Sequence, residues 1–221
     1  MYRNRMICGI DEAGRGPVIG PLVVAGVQVD DEKALEGIGV KDSKKCTPER
    51  RERLAEMIKS RAKAINLVVL HPEEIDNLRS RMTLNEIEVE AFCKVMKSLK
   101  SDVYYVDSAD VNEDRFAKEL EKRIDFDAKI ISSHKAEEKF LVVASASIIA
   151  KTTRDRLVRE IEKELREKLD LPLGSGYPSD PITIKFIKEW KRRFGSLPPH
   201  IRSCLLYTSD AADDGESVDL G

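Results

Sequence analysis

A short apolar segment at residues 5–10 is followed, across a link holding Gly14, Gly16 and Pro17, by the long β-branched run Ile19 to Val29. No other feature limits the fold as much. Two strand-like segments joined by a glycine-bearing link are expected to be antiparallel neighbours. After them the pattern alternates. Thr47-Pro48-Glu49 supplies a cap, a first-turn proline and an early acid for a helix whose apolar face is Leu54, Met57, Ile58, Ala62 and Ile65. Strands are expected at Asn66–Leu70, Val103–Val106 and Ala128–Ser132. Between them lie a helix opened by the capping box Thr83-Leu-Asn-Glu86 and another from Asn112 to about Arg123. No Gly or Pro occurs from Ala136 to Leu171; that stretch begins apolar and becomes densely charged, which predicts a buried helix followed by an exposed one. Gly174 to Asp180 reads as a loop, and Asp180-Pro181 opens a last helix carrying Ile182, Phe186, Ile187 and Trp190. A hairpin followed by alternating strands and helices gives an α/β class: a mixed sheet covered by helices, with a C-terminal helical lobe.

At 221 residues the chain has room for one generous domain or a domain with an appendage. Its longest apolar runs are too short to span a bilayer, and the segment before Asp11 lacks the apolar stretch of a secretion signal, so a cytoplasmic protein with no membrane partner is expected. Cys8, Cys46, Cys93 and Cys204 form no C-x-x-C pair, which suits reduced thiols. All 38 Lys and Arg lie at or before Arg202, whereas five of the 40 acids lie beyond it, so residues 1–202 carry +3. That charge is compatible with a polyanionic partner and equally with a balanced, solvated surface.

In so acidic a chain, adjacent carboxylates mean little; their position means more. Asp11 ends the first predicted strand and Asp107 ends another, and if those strands are parallel neighbours the two acids meet at one sheet edge, where open α/β sheets usually hold ligands. Asp107 alone is equally a strand-end turn residue. Clustered carboxylates either share a proton or hold a divalent metal, and oxygen-only donors suit Mg²⁺ or Mn²⁺. His71, His134 and His200 are scattered and suggest no zinc site. The Gly14-Arg15-Gly16 loop serves either a tight turn or a phosphate, and it is not a dinucleotide fingerprint, because no helix follows.

The stretch GIDEAGRGPVIGPLVVAGV, the tetrad Asp42-Ser-Lys-Lys45, Thr83-Leu-Asn-Glu86, Tyr105-Val-Asp107-Ser-Ala-Asp110, His134-Lys-Ala, Ala144 to Lys151 and Gly174-Ser-Gly-Tyr-Pro-Ser-Asp180 occur in one order. Together they resemble ribonuclease HII, most closely its archaeal branch, over residues 5–202. The resemblance implies a ribonuclease H-like fold: a mixed five-stranded sheet flanked by helices in residues 1–151, with a C-terminal helical lobe in residues 152–202. It implies a metal-dependent endonuclease acting on RNA/DNA hybrids and on the 5′ side of ribonucleotides embedded in duplex DNA, leaving 3′-hydroxyl and 5′-phosphate ends. By resemblance, two divalent ions, Mg²⁺ or Mn²⁺, are held by Asp11, Glu12, Asp107 and Glu137. The substrate contacts are Gly14, Arg15 and Gly16 at the 2′-hydroxyl and its phosphate, Tyr177 at the sugar, and Lys44, Lys45 and Arg154 at backbone phosphates. A monomer is implied.

Two departures stand out. Where the family usually has aspartate after His-Lys-Ala, this chain has Glu137 followed by Glu138. From Ser203 the family pattern breaks and the chain turns acidic, so residues 203–221 are expected to form a disordered tail of non-native origin that does not support a sliding-clamp contact. A non-cleaving hybrid-binding protein and a junction-cutting nuclease on the same fold are the competing expectations.

Overall fold

A computed structural model of the chain describes residues 5–40 and 46–209. Lys44 and Lys45 lie outside the described residues, as does the chain past Ser209. Five strands form one sheet in the order β3-β2-β1-β4-β5. β1 (Ile7–Ala13) and β2 (Leu22–Val29) pair antiparallel, with Asp11 opposite Ala25. β4 (Val103–Asp107) lies parallel to β1 with Ile10 opposite Val106, and β5 (Lys129–Ser133) lies parallel to β4 with Asp107 opposite Ser133. β3 (Ala64–Leu70) forms one edge of the sheet. This is the mixed sheet that the hairpin-then-alternation pattern predicts. β2 is buried along its whole length, as its unbroken apolar run requires of a strand covered on both faces.

The second strand starts at Leu22, not Ile19. Gly20, with φ 88°, and Pro21, which has no N–H, interrupt the ladder, and Ile19 makes only an isolated bridge to Ile201. The helices are α1 (Pro48–Arg61), α2 (Pro72–Arg79), α3 (Leu84–Ser98), α4 (Glu113–Glu121), α5 (Ala136–Lys139), α6 (Leu141–Lys168), α7 (Pro181–Phe194) and α8 (Ser203–Ser209). Thr47, Thr83, Asn112 and Asp180 each accept a backbone N–H as N-caps, and Thr83 with Glu86 closes the predicted capping box. α2 has the same signal, Pro72 followed by Glu73 and Glu74, with Glu74 accepting the His71 N–H at 2.9 Å. The expected pair of helices after Ala136 is a short turn, α5, and then one continuous helix, α6. The change from an all-buried start to an amphipathic continuation alters what the helix packs on, and without Gly or Pro nothing breaks its backbone hydrogen bonds.

The chain divides into two compact units. Among the described residues, the first comprises 5–13, 23–40, 46–69 and 83–153; the second comprises 14–22, 70–82 and 154–209. In the first unit, glycines mark where helices press on strands. A Cβ on Gly9 of β1 would lie 2.3 Å from the Val142 carbonyl carbon, and one on Gly26 of β2 would lie 2.3 Å from Val95 Cγ1. Any side chain at Gly9 must therefore displace the backbone of the first turn of α6, an overpacking cost of about 1–3 kcal/mol or more. That turn is also pinned by Glu32, whose Oε1 accepts the Val142 N–H at 3.1 Å.

The second unit has its own core, built from Val18, Ile19, Ile161, Leu165, Leu173, Phe186, Ile187 and Trp190. Residues 203–209 belong to it as a helix, which corrects the expectation of a disordered tail from Ser203. Asp76 caps α8 by accepting Ser203 N–H at 2.9 Å and Cys204 N–H at 3.2 Å, and Leu206 joins the core. No disulfide joins the four cysteines. Among the described residues no helix is long and apolar enough to cross a membrane.

Candidate active site

The parallel register of β1 and β4 brings Asp11 and Asp107 to the same end of the sheet, one position past the paired Ile10 and Val106. Asp11 is buried and Asp107 half-buried. β5 then returns the chain to this edge. Lys135, in the left-handed region at φ 53° and ψ 40°, turns it sharply, so that the Ala136 N–H donates to Asp107 Oδ1 at 2.6 Å. A non-glycine residue held there costs about 1–3 kcal/mol, and such strain commonly marks functional sites. Glu137 follows at once. Phe140, which ends α5, stacks on Tyr105 of β4 with ring centroids 4.1 Å apart and so holds α5 against the sheet.

Three of the four predicted acids therefore interact directly. The side chains of Asp107 and Glu137 lie within hydrogen-bonding reach of each other, and the charges of Asp11 and Glu137 both act on Asp107. Burial first, then the Asp11 charge, raises Asp107 to about 7. Burial likewise raises Asp11 to about 6, opposed by a hydrogen bond from Ser147, the charge of Lys151 and the Glu12 N–H, which donates to Asp11 Oδ1 at 2.7 Å. Glu12 is joined to the cluster through that backbone bond; strand alternation sends its side chain from the opposite face of β1. Glu138, the rival to Glu137, is exposed.

Ser147 and Lys151 were legible in sequence only as part of the Ala144–Lys151 match. They stand four apart on α6, on one face, and Lys151 Nζ donates to Ser147 Oγ at 2.7 Å. The chain Lys151–Ser147–Asp11 lends the most buried acid of the cluster a hydrogen bond and a nearby positive charge.

The donor set is all oxygen, and Oε2 of both Glu12 and Glu137 is shut off from solvent. Carboxylates whose proton affinity has been raised by burial and then by one another are suited to trade protons for a hard divalent ion. Among the described residues no three side chains of His, Cys, Asp or Glu are already arranged as a metal cage. Asp107 interacts with Glu137, and Asp11 hydrogen-bonds with Ser147. The residues fit a metal in chemistry and burial, and would rotate those bonds away to hold one.

The other predicted contacts lie in the second unit. Gly16 rests against Tyr177, since a Cβ on Gly16 would lie 3.3 Å from Tyr177 Cε1. Tyr177 is 45% exposed, while its loop is fixed by Asp180, whose Oδ2 accepts the Ser175 N–H and hydroxyl at 2.6 and 2.7 Å. Those bonds hold the Asp180 carboxyl down at about 2. A Cβ on Gly14, at φ 91°, would meet Arg154 Nε and the Pro21 carbonyl oxygen at 2.5 Å each, so this position requires glycine on both counts. Arg154 is buried, its Nη2 donating to the Ile19 carbonyl at 3.3 Å, and burial lowers its pKa. It stands behind the glycine loop instead of on the open surface that a phosphate contact suggests.

The chain is similar in sequence and fold to known proteins. The family model described as ribonuclease HII matches residues 8–203. A ribonuclease HII of Thermococcus onnurineus is 50% identical over 200 residues, covering 89% of this chain and 85% of that relative. The crystal structure of ribonuclease H2 from Pyrococcus horikoshii superimposes with a TM-score of 0.83 at 39% identity, covering 94% of this chain and 98% of that one. The ribonuclease HII of Archaeoglobus fulgidus, solved in complex with PCNA, gives 0.81 at 44% identity, covering 90% of this chain and 94% of that one. With a converging carboxylate cluster on a mixed five-stranded sheet, and with these likenesses spanning nearly its whole described length, the chain belongs to the ribonuclease HII family.

Proposed function

We propose that this chain is an endoribonuclease that hydrolyses the RNA strand of RNA/DNA hybrids and cuts on the 5′ side of ribonucleotides embedded in duplex DNA, leaving 3′-hydroxyl and 5′-phosphate ends. The observation that carries this function is the meeting of Asp11, Asp107 and Glu137 at one sheet edge. Asp11, Glu12, Asp107 and Glu137 would hold two divalent ions, Mg²⁺ or Mn²⁺. When bound, such ions neutralise charge at a scissile phosphate and make water a nucleophile at neutral pH.

The protein's own groups do the rest. The Glu12 N–H anchors one oxygen of the Asp11 carboxylate and the Ala136 N–H anchors one of Asp107, so both acids keep a backbone tether when their bonds to Ser147 and Glu137 give way. Without ions the cluster repels a phosphodiester, which makes cleavage conditional on metal. The Gly14-Arg15-Gly16 backbone reads the 2′-hydroxyl, which is both donor and acceptor and distinguishes RNA from DNA. Tyr177, with an exposed ring beside Gly16, packs on the sugar at the RNA-to-DNA step. Lys44 and Lys45 contact flanking phosphates, and Arg154 supports the loop from within. Residues 1–151 carry the chemistry, the helical lobe of residues 152–202 helps bind the duplex, and the enzyme acts as a monomer.

A DNA duplex carrying one ribonucleotide should be cut on its 5′ side with Mg²⁺ or Mn²⁺ and spared with EDTA, while an all-DNA four-way junction stays intact. Intact ribonucleotide duplex at high enzyme concentration would overturn the assignment, and cleavage of the junction would point to the other nuclease class.

A further inference from the structure

The last cation of the chain, Arg202, is fully buried. Its Nε donates to the Gly20 carbonyl at 3.0 Å, its Nη1 to the Arg15 carbonyl at 3.1 Å and its backbone N–H to the Val18 carbonyl at 2.8 Å. Arg154, also buried, takes the remaining Ile19 carbonyl. Neighbouring backbone completes the frame: His200 accepts the Gly20 N–H at 3.0 Å, and the Gly176 carbonyl accepts Val18 N–H at 2.8 Å and Ile19 N–H at 3.3 Å. The carbonyls of Arg15, Val18, Ile19 and Gly20 are thus all drawn toward two arginines that enter from α6 and from the segment after α7.

That arrangement has a directional consequence. No peptide bond in the described chain is cis, and in a trans peptide the C=O and N–H point opposite ways. With the Arg15 carbonyl held by Arg202, the N–H of Gly16 is directed away from the guanidinium, and Gly16 itself is exposed and lies beside Tyr177. Only an arginine fits this task, because its rigid fork spans two carbonyls at once, whereas an ammonium is a single point of charge. A buried cation behind the loop also adds positive potential that salt screens poorly.

We propose that Arg202, assisted by Arg154, is a positioning residue for substrate recognition: from behind the 14–20 loop it takes the carbonyls and thereby sets the Gly16 N–H toward the ribose-phosphate of the ribonucleotide. The proposal rests on the assignment of that loop to substrate binding. Selectivity for RNA over DNA is then controlled by a residue that never touches the nucleic acid.

The test is the full-length R202K variant, which keeps the buried charge and loses the fork. Amide exchange at Val18 and Gly20 should rise about tenfold or more while amides of β1 and β4 keep their protection. KM for a duplex with one ribonucleotide should rise about tenfold with kcat within about threefold, and the binding preference over the all-DNA duplex should shrink in proportion. Mn²⁺ affinity by calorimetry should not move. Unchanged loop exchange and an unchanged preference would overturn the proposal, as would a kcat loss with KM unaltered. If R202K does not fold, R154K, which loosens only the Ile19 carbonyl, is judged by the same exchange and preference criteria. If the parent chain itself shows no preference for the ribonucleotide duplex, the assignment of the loop to recognition fails, while the exchange data still decide whether Arg202 holds it.

Discussion

Replacing Asp107 with Asn is expected to reduce metal-dependent cleavage by at least about a thousandfold while making the metal-free protein more stable at pH 8. The two effects share one cause. Asp107 faces Asp11 and Glu137 in a partly buried site, and its pKa is raised from 3.8 to about 7. The folded state therefore binds this proton more tightly than the unfolded chain does. The stabilisation is fully present below about pH 4 and is lost as pH rises toward 7, with Asp11, raised to about 6, acting in the same sense. An amide keeps the oxygen that accepts the Ala136 N–H and removes the repulsion, so D107N should gain on the order of 2 kcal/mol at pH 8, discounted for the sharing of one proton among coupled acids. Thermal melting in EDTA at pH 5 and pH 8 checks this: the parent should melt lower at the higher pH, and the variant should lose much of that slope. Saturating Mn²⁺ should restore the parent at pH 8, because the ion replaces the proton. A variant less stable than the parent at pH 8 would contradict the electrostatic account of the cluster.

The second large effect separates two adjacent glutamates. E137A should lower turnover at least about tenfold with folding intact, whereas E138A should stay within about twofold. Glu137 is half-buried and bonded to Asp107; Glu138 is exposed on the same short turn. The longer glutamate arm is accommodated because the Lys135 turn starts α5 directly on Asp107 and stacking of Phe140 on Tyr105 fixes where that turn ends. Steady-state turnover on a single-ribonucleotide duplex, with melting curves as the folding control, decides the matter. Equal losses in both variants, or near-normal activity in E137A, would remove Glu137 from the metal set.

How much of this is legible in the sequence depends on whether a feature is local. Caps at Thr47, Thr83, Asn112 and Asp180 were legible because a cap is a few consecutive residues and its bond stays within one turn. The convergence of Asp11 and Asp107 was legible as a condition, parallel neighbours, which the β1–β4 register meets. α2 was missed although Pro72-Glu-Glu repeats the signal at Pro48-Glu, because only Ile75 and Leu78 mark an apolar face in so short a helix. The supporting groups were out of reach for a different reason. Ser147 sits in a small-residue run where nothing distinguishes it from Ser145, which bonds back to its own helix at Leu141; only the packing of α6 on Gly9 sets which serine meets Asp11. Arg154 and Arg202 have the residue type of surface phosphate ligands, and their burial against backbone carbonyls depends on contacts more than a hundred residues away.

The central claim, that carboxylates from β1, β4 and α5 converge to share divalent ions, is tested most directly by anomalous diffraction from crystals of the protein grown with Mn²⁺ and a non-cleavable ribonucleotide duplex. Manganese peaks touched by both Asp11 and Asp107, one of them also by Glu137, are the predicted result. Peaks that lie elsewhere, or Asp11 and Asp107 carboxylates too far apart to touch a common ion, would contradict it.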